Sequence, residues 1–320
     1  MVTIADIREA QTRLAGVAFR TPLLPCPRTG QEKRAWFKPE NLQPIGSFKI
    51  RGAYNRIAAL SPQERARGVI AYSSGNHAQG VAYSAQQLGL KAVIVMPTNA
   101  PAIKIAATRS YGAEVVLYDP ATELREEVAA RLMESNPYIL VPPFNDPYVI
   151  AGQGTIGLEI FEDLPGAELV LVPVGGGGLL SGVAVALKTL KPDVKIIGVE
   201  PELAADAQAS FRSGQIVAIT PAEANRTIAD GTRTQHVGDL TLAHIRQYVD
   251  DIITVSEAEI REATRRLLLN AKLVVEPSGA LSFAAFLFHQ QLLPTSNNTV
   301  MVLSGGNIEP ALLNELLSLA

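Results

Sequence analysis

Lys49 lies in Gly46-Ser47-Phe48-Lys49-Ile50-Arg51-Gly52, an apolar and glycine-framed stretch unlike the setting of an ordinary surface lysine. A lysine held partly out of water keeps its amine neutral and nucleophilic near pH 7, as Schiff-base chemistry on a carbonyl requires. Three further segments could complete such a site. Ser73-Ser74-Gly75-Asn76-His77 follows the β-branched run Gly68-Val69-Ile70-Ala71-Tyr72, and Gly175-Gly176-Gly177-Gly178 follows Leu169-Val170-Leu171-Val172-Pro173-Val174. Ser304-Gly305-Gly306-Asn307 follows Thr299-Val300-Met301-Val302-Leu303.

Glycines between a buried strand and a helix bring backbone N–H groups to an anion, and the helix dipole adds to the attraction. Gly175 to Gly178 therefore read as a phosphate loop. The free amides and hydroxyls of the Ser73–His77 turn suit a substrate α-carboxylate, with a plain serine N-cap as the simpler alternative. His77, in the first helical turn, reads as a structural donor within that turn. Together the four segments describe a pocket for pyridoxal 5′-phosphate (PLP) and a small amino acid. A competing pattern starts from the same loop: strand, glycine turn, helix, strand and then Glu200 imitate a dinucleotide fingerprint. Its third glycine is missing, with Leu180 or Ser181 in that place, and no Gly-Lys-Ser/Thr ending makes a P-loop. A nicotinamide oxidoreductase remains the alternative from another class.

The elements that must position these residues follow from periodicity. Short apolar runs at 68–72, 92–96, 114–118, 169–174, 194–199 and 299–303 alternate with helical stretches at 76–88, 121–134, 179–190 and one opened by Pro101. Near-continuous apolar strands separated by helices predict an α/β protein with mostly parallel sheets covered on both faces. Residues 69–146 read as a small substrate-closing domain, and residues 1–68 with 147–320 as a discontinuous large cofactor domain. Ligands of such sheets bind beyond the carboxyl ends of strands, where Ser73, Gly175 and Ser304 each fall. At 320 residues, 47% hydrophobic and 18% charged, the chain can bury two cores. A net charge of −3 without a basic stripe argues against nucleic acid as a partner. The single Cys26 excludes an internal disulfide, and no signal peptide or membrane-length apolar run is visible, so a cytoplasmic protein is expected.

Pro39-Glu40-Asn41-Leu42-Gln43 with 46–53, Ser73 to Gly80, Ala151-Gly152-Gln153-Gly154-Thr155-Ile156, Gly175 to Gly178, Thr227-Ile228-Ala229-Asp230-Gly231 and Ser304 to Asn307 run in one order along the chain. In that order they resemble the two-lobed fold-type II PLP enzymes (tryptophan synthase β-like), and within them the threonine dehydratase and serine racemase family. The resemblance implies that Lys49 carries the cofactor and moves the substrate α-proton. It implies that Phe48 packs on the pyridine face, that Asn76 donates to the ring hydroxyl, and that Ser304 meets the ring nitrogen. A neutral hydroxyl at that nitrogen favours loss of a β-leaving group. Gly231 and Glu276, the latter in Glu276-Pro277-Ser278-Gly279, match cofactor-side positions. Ser73, Ser74, Asn76, His77 and Arg125 match substrate-side ones, Ser74 standing where the racemases place a second acid/base. Arg125 also reads as part of a solvated face with Glu126 and Glu127. Pro142 stands where many dehydratases carry histidine.

Glu200 and Asp206, with the Ala204 carbonyl between them, offer oxygen ligands for a hard divalent cation. The resemblance implies structural Mg²⁺ or Ca²⁺ there; solvated acids at a helix start are the simpler reading. The function expected is a PLP-dependent threonine/serine ammonia-lyase, with serine racemase as the alternative and a homodimer as the usual assembly. Ending at Ala320, the chain is not expected to show feedback inhibition by isoleucine.

Overall fold

The computed structural model of the chain describes residues 1–27 and 34–318. Among them ten strands form: β1 (Leu24–Pro25), β2 (Arg34–Pro39), β3 (Val69–Tyr72), β4 (Ala92–Pro97), β5 (Glu114–Tyr118), β6 (Ile139–Leu140), β7 (Leu169–Pro173), β8 (Lys195–Pro201), β9 (Asp251–Val255) and β10 (Asn298–Leu303). They make two sheets, one ordered β1-β2-β10-β7-β8-β9 and the other β5-β4-β3-β6. Every pairing is parallel except that of β1 with β2. The expected α/β architecture with helix-flanked parallel sheets is therefore present.

Alternation along the strands explains why both faces are covered. Leu169, Leu171, Val199, Met301 and Leu303 enter one hydrophobic core, while Val170, Val172, Ile196, Val300 and Val302 enter a second on the opposite face. A period of two that is apolar on both phases is what a sheet buried between helix layers requires. The smaller sheet repeats this with Val69, Ala71, Ile94 and Met96 in one cluster and Ile70, Val93 and Val95 in another.

Two sequence expectations need correction. The helix expected over 121–134 starts only at Arg125, because Asp119 holds a turn ahead of it: its carboxylate accepts from the Ala121 amide at 2.9 Å, and its carbonyl from Glu123 at 2.9 Å. Strands β1, β2, β6 and β9 were not expected. β2 escapes periodicity because it carries Lys38, a charged residue that is fully buried.

Three helices hold the loops in fixed relation. Helix Pro147–Asp163 is backbone-close to helix Lys49–Ala58 on one side and to helix Gly178–Leu190 on the other. A Cβ on Gly152 would lie 2.5 Å from the Arg51 carbonyl oxygen, and one on Gly182 would lie 2.3 Å from that of Ile150. Such approaches admit hydrogen only. Gly152→Ala should therefore destabilise the protein by about 1–3 kcal/mol through forced backbone separation. Gly166→Ala, where the nearest atom would be 3.7 Å away, is the control and should unfold close to wild type in urea. Equal midpoints for the two variants would show that these helices are not in obligatory contact.

Candidate active site

Lys49 opens helix Lys49–Ala58 immediately after Phe48, whose amide donates to the Ser304 carbonyl at 3.1 Å. Ser47 bridges Gly305, so the lysine turn is stitched to the loop after β10. The half-buried Lys49 ammonium donates to the Pro143 carbonyl at 2.8 Å and lies 5.2 Å from the Phe48 ring centre. Desolvation pushes its pKa down to about 8, so a substantial neutral fraction exists near physiological pH.

The tether behind Lys49 is a buried charge cluster. Arg51, 1% exposed, gives Nε to Glu40 Oε2 at 2.7 Å and Nη1 to Glu159 Oε1 at 2.6 Å. Its other N–H groups reach Thr155 Oγ1, Glu40 Oε1, Glu159 Oε2 and the Phe19 carbonyl. Lys38 completes the cluster by donating to Glu159 and to the Thr21 carbonyl, each at 2.5 Å. Burial opposes ionisation of Glu40, but the Arg51 guanidinium beside it, helped by Lys38, holds the carboxyl below its usual range. The roles of Lys38 and Glu159 were missed from sequence. A glutamate within the apolar run Thr155-Ile156-Gly157-Leu158-Glu159-Ile160-Phe161 was the available signal.

Two helix N-termini face the same region with unused donors. In the glycine loop Gly177 takes φ +91°, which glycine adopts without strain, and caps helix Gly178–Leu190. The amides from Gly175 to Leu180 donate to no acceptor among the described residues, whereas the Gly176 carbonyl is held by Thr241 Oγ1 at 2.8 Å. Phe144 lies against the loop so closely that a Cβ on Gly176 would fall 2.2 Å from its ring. At the other turn, helix Asn76–Gln87 begins after Gly75, and the amides of Ser74, Asn76, His77 and Ala78 likewise meet no acceptor among the described residues. Ser73 Oγ accepts weakly from Gly75 N at 3.4 Å, and the half-buried Ser74 hydroxyl is engaged by no described residue. His77 turns its ring to the Val141 carbonyl at 2.8 Å, and burial next to Lys49 lowers its pKa to about 3. It is a neutral structural donor, with only its backbone amide open to a ligand.

Asn76 links the lobes. Its Nδ2 donates to Glu276 Oε1 at 2.6 Å, and its Oδ1 accepts from Asn307 Nδ2 at 2.7 Å, which sets the amide plane. Glu276, 2% exposed, is raised to about 8 by burial and by Asp230 nearby. Ser304 Oγ, 5% exposed, has only a 3.5 Å contact to the Ser278 carbonyl, and Gly231 N donates to Ser278 Oγ at 2.8 Å. A phosphate cradle of six amides, a desolvated lysine, a ring-side aromatic and a lightly used hydroxyl fit PLP. Arg125 is not drawn into this cluster. It is exposed, pairs with Glu126 at 2.7 Å and lies over the Tyr72 ring, just before Ser73.

The Glu200–Asp206 pair lies apart from the pocket, at the carboxyl end of β8. Glu200 Oε1 and Oε2 accept from the Ala207 and Gln208 amides, both at 2.9 Å. Asp206 is fully buried, and neither of its carboxylate oxygens has a partner among the described residues. Burial raises Asp206 to about 7, while burial and the adjacent Asp206 raise Glu200 well above the usual carboxylate range. Two dry carboxylates with free lone pairs, beside the buried Ala204, form a donor set that a hard cation fits.

The Lys49 environment makes a linkage prediction for the cofactor-free protein. With a folded pKa of about 8 against 10.5 unfolded, the desolvation penalty is fully present below pH 8. It disappears as pH rises from about 8 to about 10.5, so Lys49 makes stability increase across that window. Melting curves of wild type and Lys49→Met should converge as pH rises through it, with the variant the more stable at pH 7. A temperature difference independent of pH would place the Lys49 amine in water.

With this geometry in hand, similarity to known proteins becomes interpretable. Residues 14–305 match the family model described as pyridoxal-phosphate dependent enzyme. The chain is 48% identical to the L-threonine ammonia-lyase of Thermotoga maritima over 99% of this chain and 79% of that protein. It is 46% identical to the L-threo-3-hydroxyaspartate ammonia-lyase of Saccharomyces cerevisiae, over 96% of this chain and 94% of that one. The solved maize serine racemase superposes with a TM-score of 0.92 at 39% identity, covering 98% of this chain and 96% of that chain. A match running from the first helix through the Ser304 loop spans every segment that lines the pocket, and the chain belongs to the pyridoxal-phosphate dependent enzymes.

Proposed function

We propose that the chain is an ammonia-lyase for β-hydroxy amino acids, converting L-threonine or L-serine to a 2-oxo acid and ammonia. The observation that carries this reading is the placement of a desolvated lysine amine between two helix N-termini with unused amides. Relatives whose names are L-threonine ammonia-lyase and L-threo-3-hydroxyaspartate ammonia-lyase support the reaction type. When bound, PLP supplies the electron sink that makes the substrate α-proton removable. The glycine-loop amides would hold its phosphate, Phe48 and Ser304 would orient its ring, and Asn76 would donate to its hydroxyl. The amides of the Ser73–His77 turn would hold the substrate carboxylate. Neutral Lys49 Nζ then accepts the α-proton and gives a proton to the β-hydroxyl, which departs as water. The released enamine product regains that water on hydrolysis to the 2-oxo acid and ammonia.

A second reading, serine racemase, has its own support in the Ser74 hydroxyl, which no described residue engages. A serine hydroxyl is weakly acidic, and a carbanion beside a leaving hydroxyl collapses faster than such a donor reprotonates it. We therefore place elimination ahead of racemisation. The proposal includes a structural Mg²⁺ or Ca²⁺ held by Glu200, the Ala204 carbonyl and Asp206, supported by the two unpartnered Asp206 oxygens. It also includes a cytoplasmic homodimer in which residues 69–146 close on the substrate; among the described residues no helix is long and apolar enough to cross a membrane.

Two experiments test this. PLP-loaded protein incubated with L-threonine, L-serine and 3-hydroxyaspartate should release 2-oxo acid, and from serine pyruvate should exceed D-serine. Ser74→Ala should lose D-serine formation and retain 2-oxo acid formation. Lys49→Ala should lower turnover by about 10²–10⁴-fold or more, since a positioned proton acceptor alone contributes that much. D-serine in excess of pyruvate would make the protein a racemase. For the cation, Mg²⁺ or Ca²⁺ should raise the melting temperature, as any ligand of the folded state does. Glu200→Ala should remove that rise; a melting temperature unmoved between chelator and cation would leave the two acids as ordinary buried groups.

A further inference from the structure

Thr241, fully buried on helix Asp239–Tyr248, lies behind the glycine loop, and the mechanism above leaves it without a role. Its Oγ1 accepts from the Gly238 amide at 2.9 Å and has one hydroxyl hydrogen to give. Two carbonyls are in reach, that of Gly176 at 2.8 Å and that of Gly238 at 3.1 Å. The Gly238 carbonyl already accepts from the Leu242 amide at 2.8 Å. The Gly176 carbonyl has, among the described residues, one further donor, the Gly238 amide at 3.5 Å. The hydroxyl hydrogen therefore goes to Gly176. Loop and helix also touch directly, since a Cβ on Gly177 would fall 2.9 Å from the Thr241 side chain. Ser181 Oγ, in the first turn of the loop's own helix, adds a second tie by donating to the Thr241 carbonyl at 3.2 Å.

We propose that Thr241 is a positioning residue for the cofactor phosphate, acting by fixing the peptide plane between Gly176 and Gly177. That peptide is trans, so its C=O and N–H point in opposite directions. Holding the carbonyl toward Thr241 turns the Gly177 N–H away from it, and that amide is one of the six with no acceptor among the described residues. Four consecutive glycines have no side chains with which to hold such an orientation, and glycine backbones turn freely. A loop left unclamped would have to be ordered by the anion as it binds, which weakens binding. Thr241 settles the orientation beforehand. Without its hydroxyl the buried Gly176 carbonyl loses its strong donor. Rotating the plane to find another then carries the Gly177 N–H off the phosphate.

An effect confined to the phosphate separates positioning from general support of the fold. The test titrates cofactor-free protein with PLP and, separately, with pyridoxal, which has the same ring and aldehyde but no phosphate. The visible absorption of the bound ring reports binding in both. Thr241→Val, matched in shape, should weaken PLP binding roughly tenfold, the size of one lost hydrogen bond to a buried carbonyl. Its affinity for pyridoxal should stay at the wild-type value. Thr241→Ser, which keeps the hydroxyl, should restore PLP binding. Should Thr241→Val fail to fold, Thr241→Cys carries the same comparison, because a thiol is a weak donor. Equal weakening of both ligands, unchanged affinity for both, or a Thr241→Ser as impaired as Thr241→Val would overturn the proposal. Both titrations are read without turnover, so a wild type that binds PLP but forms no 2-oxo acid would refute the lyase reading and leave this test intact.

Discussion

Arg51 is buried between Glu40 and Glu159, and the rest of the site depends on how that guanidinium is held. It lies two residues after Lys49, and its N–H groups reach acceptors on three separate parts of the chain. A planar fork that must satisfy two carboxylates at once tolerates little rotation of the helix that carries it. With Lys38 present, two cations meet two carboxylates, so the cluster is neutral as a whole. An apolar substitute would pack as well, but it would not fix the angular position of Lys49.

That position matters because the other half of the pocket is fixed through the same helix. Helix Pro147–Asp163 carries Glu159 into the ion cluster, Gly152 against the Arg51 backbone and Gly154 against Gly182 of the glycine-loop helix. Lysine and anion loop are thus registered to each other through backbone contacts, which have no rotamers to lose. On the other side the four-stranded unit meets this assembly through side chains such as Asn76 and Lys104. Placement of the reactive amine and attachment of the four-stranded unit are assigned to different kinds of contact.

What was legible in the sequence follows from this division. Strands β3, β4, β5, β7, β8 and β10 could be read because both phases of their period are apolar, and their loops because glycine and serine there have local reasons. β2 could not, since a buried Lys38 breaks the pattern and is explained by Thr21 and by Glu159, the latter 121 positions away. The same holds for Lys104 and Asp230, 126 positions apart, whose meeting depends on how two sheets dock. His77 illustrates the reverse case. It is part of a legible motif, yet its ring serves Val141 and leaves the ligand side to its amide. Motifs disclose donors on the backbone; they say less about which way a side chain turns.

The electrostatics of the pocket complete the picture. Dryness moves Lys49 down and Glu276 up, each to about 8, so the two groups that flank the ring position carry less charge than their types suggest. The phosphate cradle also lacks a formal cation: from Gly175 to Leu180 its donors are amides at a helix start. Partial charges on a rigid backbone hold an anion without bringing a competing ammonium near the reacting carbon. Lys49 and Glu276 are then the groups there able to exchange a proton near neutral pH, because His77 is already fixed as neutral and Asn76 cannot ionise. A site built this way separates binding charge from reacting charge, which suits the role of base proposed for Lys49.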